Sequence, residues 1–238
     1  MKSIVRSDVG RVRKQNEDTA FVGAAQSLLA VADGMGGHKA GEVASFMAIE
    51  TLKQRLRTHK PNLKLMQVAF EEANRRIAEA ARKSDNCRGM GTTMTALWKT
   101  KSAMLLAHVG DSRAYLFRDG VLRQMTDDHS VVAELMRSGL LTPEEARRHP
   151  YRNVITRALG SAPSIEVDLH QHERRQGDLW LLCTDGLSNM LPDHTLQELL
   201  AAHTPEQAAD EMLNLALEAG GTDNITFILA VDDEGVDA

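Results

Sequence analysis

Cysteine is almost absent from this chain of 238 residues, which has only Cys87 and Cys183. Two thiols cannot make a disulfide framework, and Cys183 lies within an apolar run, where it serves as a small core residue. No basic run is long enough to form a nucleic-acid tract, and a net charge of -5 gives no reason to expect one. No apolar stretch approaches membrane-spanning length, and the opening residues lack a signal-peptide core, so a reducing cytoplasm is expected. There is no internal repeat and no linker. With 42% hydrophobic and 26% charged residues, the expectation is a single domain over 1-238, with 232-238 as a frayed tail.

What is present is one recurring pattern. Leu28 to Ala32 is an apolar run that stops at Asp33, followed by Gly34-Met35-Gly36-Gly37. Leu105 to Gly110 stops at Asp111, and Leu179 to Thr184 stops at Asp185-Gly186. Three buried strands thus offer an aspartate at their carboxyl ends. Asp223, just before the apolar run Ile225 to Val231, is a fourth. A single Asp-Gly marks only a turn, as expected of the hairpin at Asp119-Gly120. If the four acids converge, their repulsion requires cations. Oxygen ligands without clustered His or Cys select Mg²⁺ or Mn²⁺ over Zn²⁺ or copper.

Along the chain, 3 to 9 reads as a strand and 10 to 18 as a polar loop. Its Arg13 can grip a phosphate with two parallel hydrogen bonds, although the loop alone reads as a solvated surface. Helical spacing joins Ala44, Ala48, Leu52 and Leu56, and again Leu63, Met66, Phe70, Ala73 and Ile77. Four short strands between Met94 and Met125, joined by very short links, must be antiparallel and are expected to form a meander. The insert 127-160 carries a short helix at 131 to 136 and a capping box, Thr142-Pro143-Glu144-Glu145. Its arginines, Arg152 and Arg157 among them, can face an anionic substrate or be ordinary surface charges. Strands near Ile165 to Leu169 and Leu179 to Cys183, a helix opening at Thr204-Pro205-Glu206-Gln207, and a last strand covered on both faces complete a layered α+β order.

Taken together, Arg13 with Asn16-Glu17-Asp18, Asp33-Gly34-Met35-Gly36-Gly37-His38, Gly91-Thr92-Thr93, Val109-Gly110-Asp111-Ser112-Arg113, Thr184-Asp185-Gly186-Leu187 and Gly221-Thr222-Asp223-Asn224-Ile225-Thr226 closely resemble the metal-dependent protein phosphatases of type 2C, the PPM family, in compact bacterial form. The resemblance spans Arg13 to Thr226. It implies a four-layer α/β/β/α sandwich, with two antiparallel sheets flanked by helices and a flap at 127-160. It also implies hydrolysis of phosphoserine and phosphothreonine in proteins by a metal-activated water, without a phosphoenzyme intermediate. By position, Asp33 bridges two Mn²⁺ or Mg²⁺ ions, the Gly34 carbonyl binds one, and Asp185 and Asp223 hold the other. Asp111 with Asp185 completes a weaker third site. Glu17 and Asp18 act through water, Asn224 orients Asp223, and Arg13 holds the phosphate. Arg152 and Arg157 dock substrate or hold the flap. Phosphorylated proteins and a serine/threonine kinase are the implied partners, and a monomer is expected.

Met35 departs from many eukaryotic members, which have histidine there as the proposed general acid. A thioether cannot donate a proton, so a metal-held water is the expected donor and His38 the weaker candidate. The cysteine phosphatases need an arginine six residues after the nucleophile. Here those positions are Thr93 and Asn189, which removes that reading. A non-catalytic binding module, and a two-metal hydrolase of small phosphate esters, remain as alternatives.

Overall fold

The computed structural model describes residues 1-23, 27-36 and 40-233. Two sheets face each other, and every strand pairing is antiparallel. The first sheet runs β1 (Lys2–Asp8), β11 (Ile225–Val231), β10 (Leu179–Cys183), β7 (Arg113–Arg118), β8 (Val121–Gln124). The second runs β2 (Asp18–Val22), β3 (Leu28–Met35), β5 (Met94–Lys99), β6 (Ala103–Val109), β9 (Asp168–Glu173), and the short β4 (Gly91–Thr92) pairs with the end of β3. Helices α1 (Ala40–Leu56) and α2 (Leu63–Lys83) cover the outer face of the second sheet. Helices α6 (Asp193–Ala202) and α7 (Pro205–Glu218) cover the first. This is the expected four-layer sandwich.

The period-two alternation of strand side chains explains why these strands are apolar throughout. Leu28, Ala30 and Ala32 of β3 pack under α1 and α2 with Phe70 and Ile77. Their neighbours Leu29 and Val31 point the other way, into the seam between the sheets with Trp180, Leu182 and Ile228. On β11 and β10, Phe227, Leu229 and Leu181 meet Met212 and Leu196 of the outer helices. Each central strand is therefore buried on both faces even though the sheets are antiparallel. The last strand, Ile225 to Val231, has the two covered faces expected of it.

Local signals set several boundaries. The Asn62 side chain accepts from the amides of Lys64 and Leu65 to start α2. The Ser130 side chain accepts from the Ala133 amide to start α3 (Val131–Arg137), and complete capping boxes at Thr142/Glu145 and Thr204/Gln207 open α4 (Pro143–Arg148) and α7. Asp119 and Gly120 take positive φ, 53° and 79°, in the tight turn between β7 and β8.

Four expectations are corrected. The stretch 94-125 is two hairpins in different sheets, because the chain crosses between sheets at Gly110-Asp111-Ser112, where Gly110 takes φ +117°. The strand expected at 165-169 lies at Asp168–Glu173, in register with Ala103 to His108 of β6. Asp33 does not end its strand: β3 runs on to Met35 because β4 supplies a further partner. Asp232, expected in the frayed tail, is fully buried, ion-paired with Arg174 and 3.6 Å from Lys99, and its amide donates to the Asp178 carbonyl. No described helix is long and apolar enough to cross a membrane.

Candidate active site

Antiparallel pairing determines which strand ends meet. Asp18 opposes Asp33, and Val31 opposes Thr95 while Met94 opposes Val109, so the ends of β3 and β6 and the start of β2 share one edge. In the other sheet Cys183 opposes both Phe227 and Arg113, which brings the end of β10 beside the starts of β11 and β7. Asp33, Asp111, Asp185 and Asp223 therefore gather at one rim of the sandwich. Hydrogen bonds join the halves there, among them the Thr184 hydroxyl donating to Asp18 Oδ2 at 2.8 Å and the Glu17 amide donating to Asn224 Oδ1 at 2.8 Å.

Each acid is held from behind. The Asp33 amide donates to Thr93 Oγ1 at 2.9 Å, and the Asp33 carbonyl accepts from the Thr93 amide and the Thr92 hydroxyl. Asp185 opens the short helix α5 (Asp185–Ser188), and its Oδ2 accepts from Asn189 Nδ2 at 3.0 Å. Asp223 accepts from the Asn224 amide on one oxygen and from Arg13 Nη2, at 2.7 Å, on the other. The Gly34 amide donates to the Glu17 carbonyl, and the Gly34 carbonyl lies against Gly41 of α1.

The electrostatics are those of acids forced together. Burial, then Asp18, Asp185, Asp111 and Asp223, hold the Asp33 carboxyl well above the ordinary carboxylate range. Burial and Asp185 do the same to Asp111. Burial carries Asp185 up to about 6, with Asp223 adding to it, and carries Asp18 up to about 7 against the relief of its hydroxyl bonds from Thr184 and Thr226. Asp33, Asp18 and Asp185 keep some solvent contact, but protein closes round their carboxyls on the other sides, and that enclosure governs their charge.

The residues fit divalent cations on one structural observation. Asp185 Oδ1, Asp111 Oδ1 and Glu17 Oε1 are buried acceptors that no donor meets. Unmet carboxylate oxygens beside other carboxyls are the donor set of a hard ion such as Mn²⁺ or Mg²⁺. Among the described residues, no three His, Cys, Asp or Glu side chains close on one point.

The expected site residues separate into those the structure assembles and those it does not. Arg13, Glu17, Asp18, Asp33, Gly34, Asp111, Asp185 and Asp223 lie together. The Asn224 side chain does not orient Asp223. It binds the Arg13 loop instead, accepting from Glu17 and donating to the Val9 and Gln15 carbonyls at 2.9 Å each. Only its main-chain amide reaches Asp223. Arg157 is an anchor and not a free docking cation, because Asp168 takes its Nη1 at 2.6 Å. Arg152 is exposed in a turn, and no described contact joins it to the acids. His38 lies outside the described residues. The sequence reading gave Thr184 no role of its own and missed Asn189, and also Gly41, whose signal was a glycine inside a first helical turn. Cys183 is buried, with its thiol pushed up to about 12, which suits a core residue and not a nucleophile.

A model of the family described as Protein phosphatase 2C matches residues 11–220, nearly the whole of the stretch that carries these groups. The chain belongs to the protein phosphatase 2C family. It is 43% identical over 97% of its length to the serine/threonine protein phosphatase PstP of Mycobacterium tuberculosis, and spans 45% of that longer protein. With the serine/threonine phosphatase stp of Listeria monocytogenes it shares 40% identity over 98% of this chain and 96% of that one. A crystal structure of the PstP catalytic domain in complex with two manganese ions superposes with a TM-score of 0.89, at 40% identity and 97% coverage of both chains. Two antiparallel sheets between helices are thus the family fold, and this chain carries it.

Proposed function

We propose that this chain hydrolyses phosphoserine and phosphothreonine in proteins, with Mn²⁺ or Mg²⁺, and so reverses serine/threonine kinase action. The observation that carries the reading is the convergence of Asp33, Asp185 and Asp223 at one rim, with buried carboxylate oxygens lacking donors and Arg13 at the edge. Asp33, the Gly34 carbonyl, Asp185 and Asp223 hold two ions, and Asp111 with Asp185 a weaker third. When bound, these ions would neutralise the acids and lower the pKa of a water, supplying a hydroxide nucleophile for phosphorus. Arg13, half exposed and seated on Asp223, is positioned to take the phosphoryl oxygens through its planar fork. Asp18 and Glu17 hold the site's outer oxygens in place, the first through Thr184 and the second as part of the Arg13 loop. Met35 offers no proton to the leaving oxygen. Phosphorylated proteins are the substrates on this reading, and a kinase with its targets the partners. We take the protein to be a monomer and place it in the cytoplasm, the location being supported by two cysteines that form no disulfide.

Phosphate release from p-nitrophenyl phosphate and from phosphothreonine peptides, each with Mn²⁺, Mg²⁺ or chelator, tests it. Metal-dependent release from both is expected. Release that ignores chelator, or none at all, removes the enzyme, and release from the aryl ester alone turns the reading to small phosphate esters.

A further inference from the structure

One side chain of the flap grips the loop that carries Asp111. The chain leaves β6 through Gly110, whose φ of +117° and whose packing on Thr93, 2.5 Å from where a Cβ would stand, admit no side chain. Both ends of this residue's polar backbone are bound by one partner. The Gly110 amide donates to His129 Nδ1 at 2.9 Å, and the Gly110 carbonyl accepts from the His129 amide at 2.8 Å. The other flank of Asp111 is tied to the preceding flap residue, since Arg113 binds Asp128 through Nε and Nη2, at 2.9 and 2.7 Å.

His129 also gathers the far end of the flap. Its carbonyl accepts from the Thr156 amide at 2.8 Å. Its Nε2 lies 3.1 Å from Asp168 Oδ2, and the other oxygen of Asp168 receives Arg157 at 2.6 Å. A backbone amide can only donate, so Nδ1 is the acceptor; Nε2 also lies 3.0 Å from Arg157 Nη1, but that donor is spent on Asp168, so a neutral ring carries its proton on Nε2 and directs it to Asp168. Burial lowers the His129 ring from its ordinary range against the pull of Asp168, in keeping with a neutral ring. The ring is itself buried, 4.8 Å from that of His108.

We propose that His129 is a positioning residue, holding the Gly110 peptide, and through it the Asp111 carboxylate, in register for a third divalent ion while fastening both ends of the flap to the same point. The proposal rests on the assignment of Asp111 as a ligand of that ion. It differs from a purely structural role in predicting which half of the ring matters. Asparagine at 129 keeps an acceptor where Nδ1 stands and loses the reach to Asp168, whereas glutamine keeps a donor near Nε2 and loses Gly110.

The test uses the full chain labelled with ¹⁵N-glycine. Amide exchange at Gly110 is measured without metal, and Mn²⁺ titrations of turnover follow. In His129→Gln, Gly110 exchange is expected to speed up by about 10-fold, and the Mn²⁺ needed for half-maximal turnover to rise by about 10-fold. His129→Asn is expected to leave Gly110 exchange within about 2-fold of wild type. In an Asp111→Asn background, His129→Gln is expected to add nothing to the Mn²⁺ requirement. Unchanged Gly110 exchange in a folded His129→Gln protein, or equal effects of Gln and Asn, overturns the grip. Additive effects with Asp111→Asn overturn the route through Asp111. If Asp111→Asn alone changes neither turnover nor Mn²⁺ requirement, the assignment of Asp111 fails and the third-ion role of His129 fails with it, a result distinct from loss of the Gly110 bond.

Discussion

Nη2 of Arg13 stands 2.7 Å from Oδ2 of Asp223, so the cation suited to grip phosphate rests on an acid of the proposed metal site. Half of the Arg13 side chain is exposed, and a pair this wet is worth about 0–1 kcal/mol, weak enough to be exchanged for a phosphoryl group. Arg13→Ala should lower kcat/KM on phosphothreonine peptides by about 10²–10³ while leaving Tm nearly unmoved. Arg13→Lys should recover only part of the loss, since an ammonium lacks the planar fork. Steady-state kinetics on one peptide series decide it: wild-type kcat/KM in Arg13→Ala removes this residue from phosphate binding.

The loop bearing Arg13 is kept in shape by Asn224, whose amide bonds three main-chain groups of residues 9-17. Asn224→Asp keeps the acceptor for Glu17 but sets a carboxylate against the Val9 and Gln15 carbonyls. Two unmet carbonyls and a repelled charge should cost about 2–3 kcal/mol, seen as a fall of about 4–10 °C in Tm. Because the loop holds Arg13 and the acids sit elsewhere, KM for phosphopeptides should rise by a larger factor than kcat falls. The opposite split would mean that Asn224 serves the acids directly.

Much of this site could be read from residue order, because the acids sit where apolar runs end and antiparallel strands must bring such ends to one rim. What resisted reading were relationships made by the main chain. The role of Asn224 is invisible because its partners are carbonyls and an amide more than two hundred residues away in sequence. The split of 94-125 between two sheets depends on one glycine torsion at Gly110, which residue types alone do not fix. Strand β2, Asp18–Val22, escaped notice because it is short and only half buried along its length. Helix α6 escaped because its start, at Pro192, has no side-chain cap.

The raised carboxyls make a pH prediction whose sign follows from linkage. Asp18 lies at about 7 in the fold against about 3.9 unfolded, so between those values the folded chain binds more protons than the unfolded one. Its contribution to stability is fully present below about pH 4 and is lost as pH rises through about 7. Protonated Asp18 and asparagine are alike in charge and shape. In chelator, Asp18→Asn should therefore melt with wild type only below about pH 4; about a third of the gap should be open at pH 5, and at pH 8 the variant should melt about 5 °C higher, corresponding to about 2 kcal/mol after discounting for solvent. Mn²⁺ should raise the wild-type Tm more at pH 8 than at pH 5. Parallel Tm curves for the two proteins across that range would show that Asp18 is not strained by its neighbours.

Gly41 offers the sharpest opposition between local preference and site geometry. Alanine in a helix is favoured over glycine by about 1 kcal/mol, so propensity alone makes Gly41→Ala stabilising. A Cβ at Gly41, however, would stand 2.6 Å from the Gly34 carbonyl oxygen and 2.8 Å from Glu17 Cδ, and a Cβ at Gly34 would stand 2.1 Å from the Gly41 carbonyl oxygen. Helix α1, the end of β3 and the Glu17 segment thus meet backbone to backbone, and none of them can yield without shifting the Gly34 carbonyl or the Glu17 carboxyl. Overpacking of this kind typically costs about 1–3 kcal/mol, which exceeds the propensity gain. We expect Gly41→Ala to lower Tm by a few degrees and to raise the Mn²⁺ needed for half-maximal turnover by about 10-fold, because the oxygens displaced are those proposed to serve the ion. Melting curves and Mn²⁺ titrations of the same preparation decide it. A variant that melts higher than its parent and needs no more Mn²⁺ would show that the contact between Gly34 and Gly41 does not hold the site.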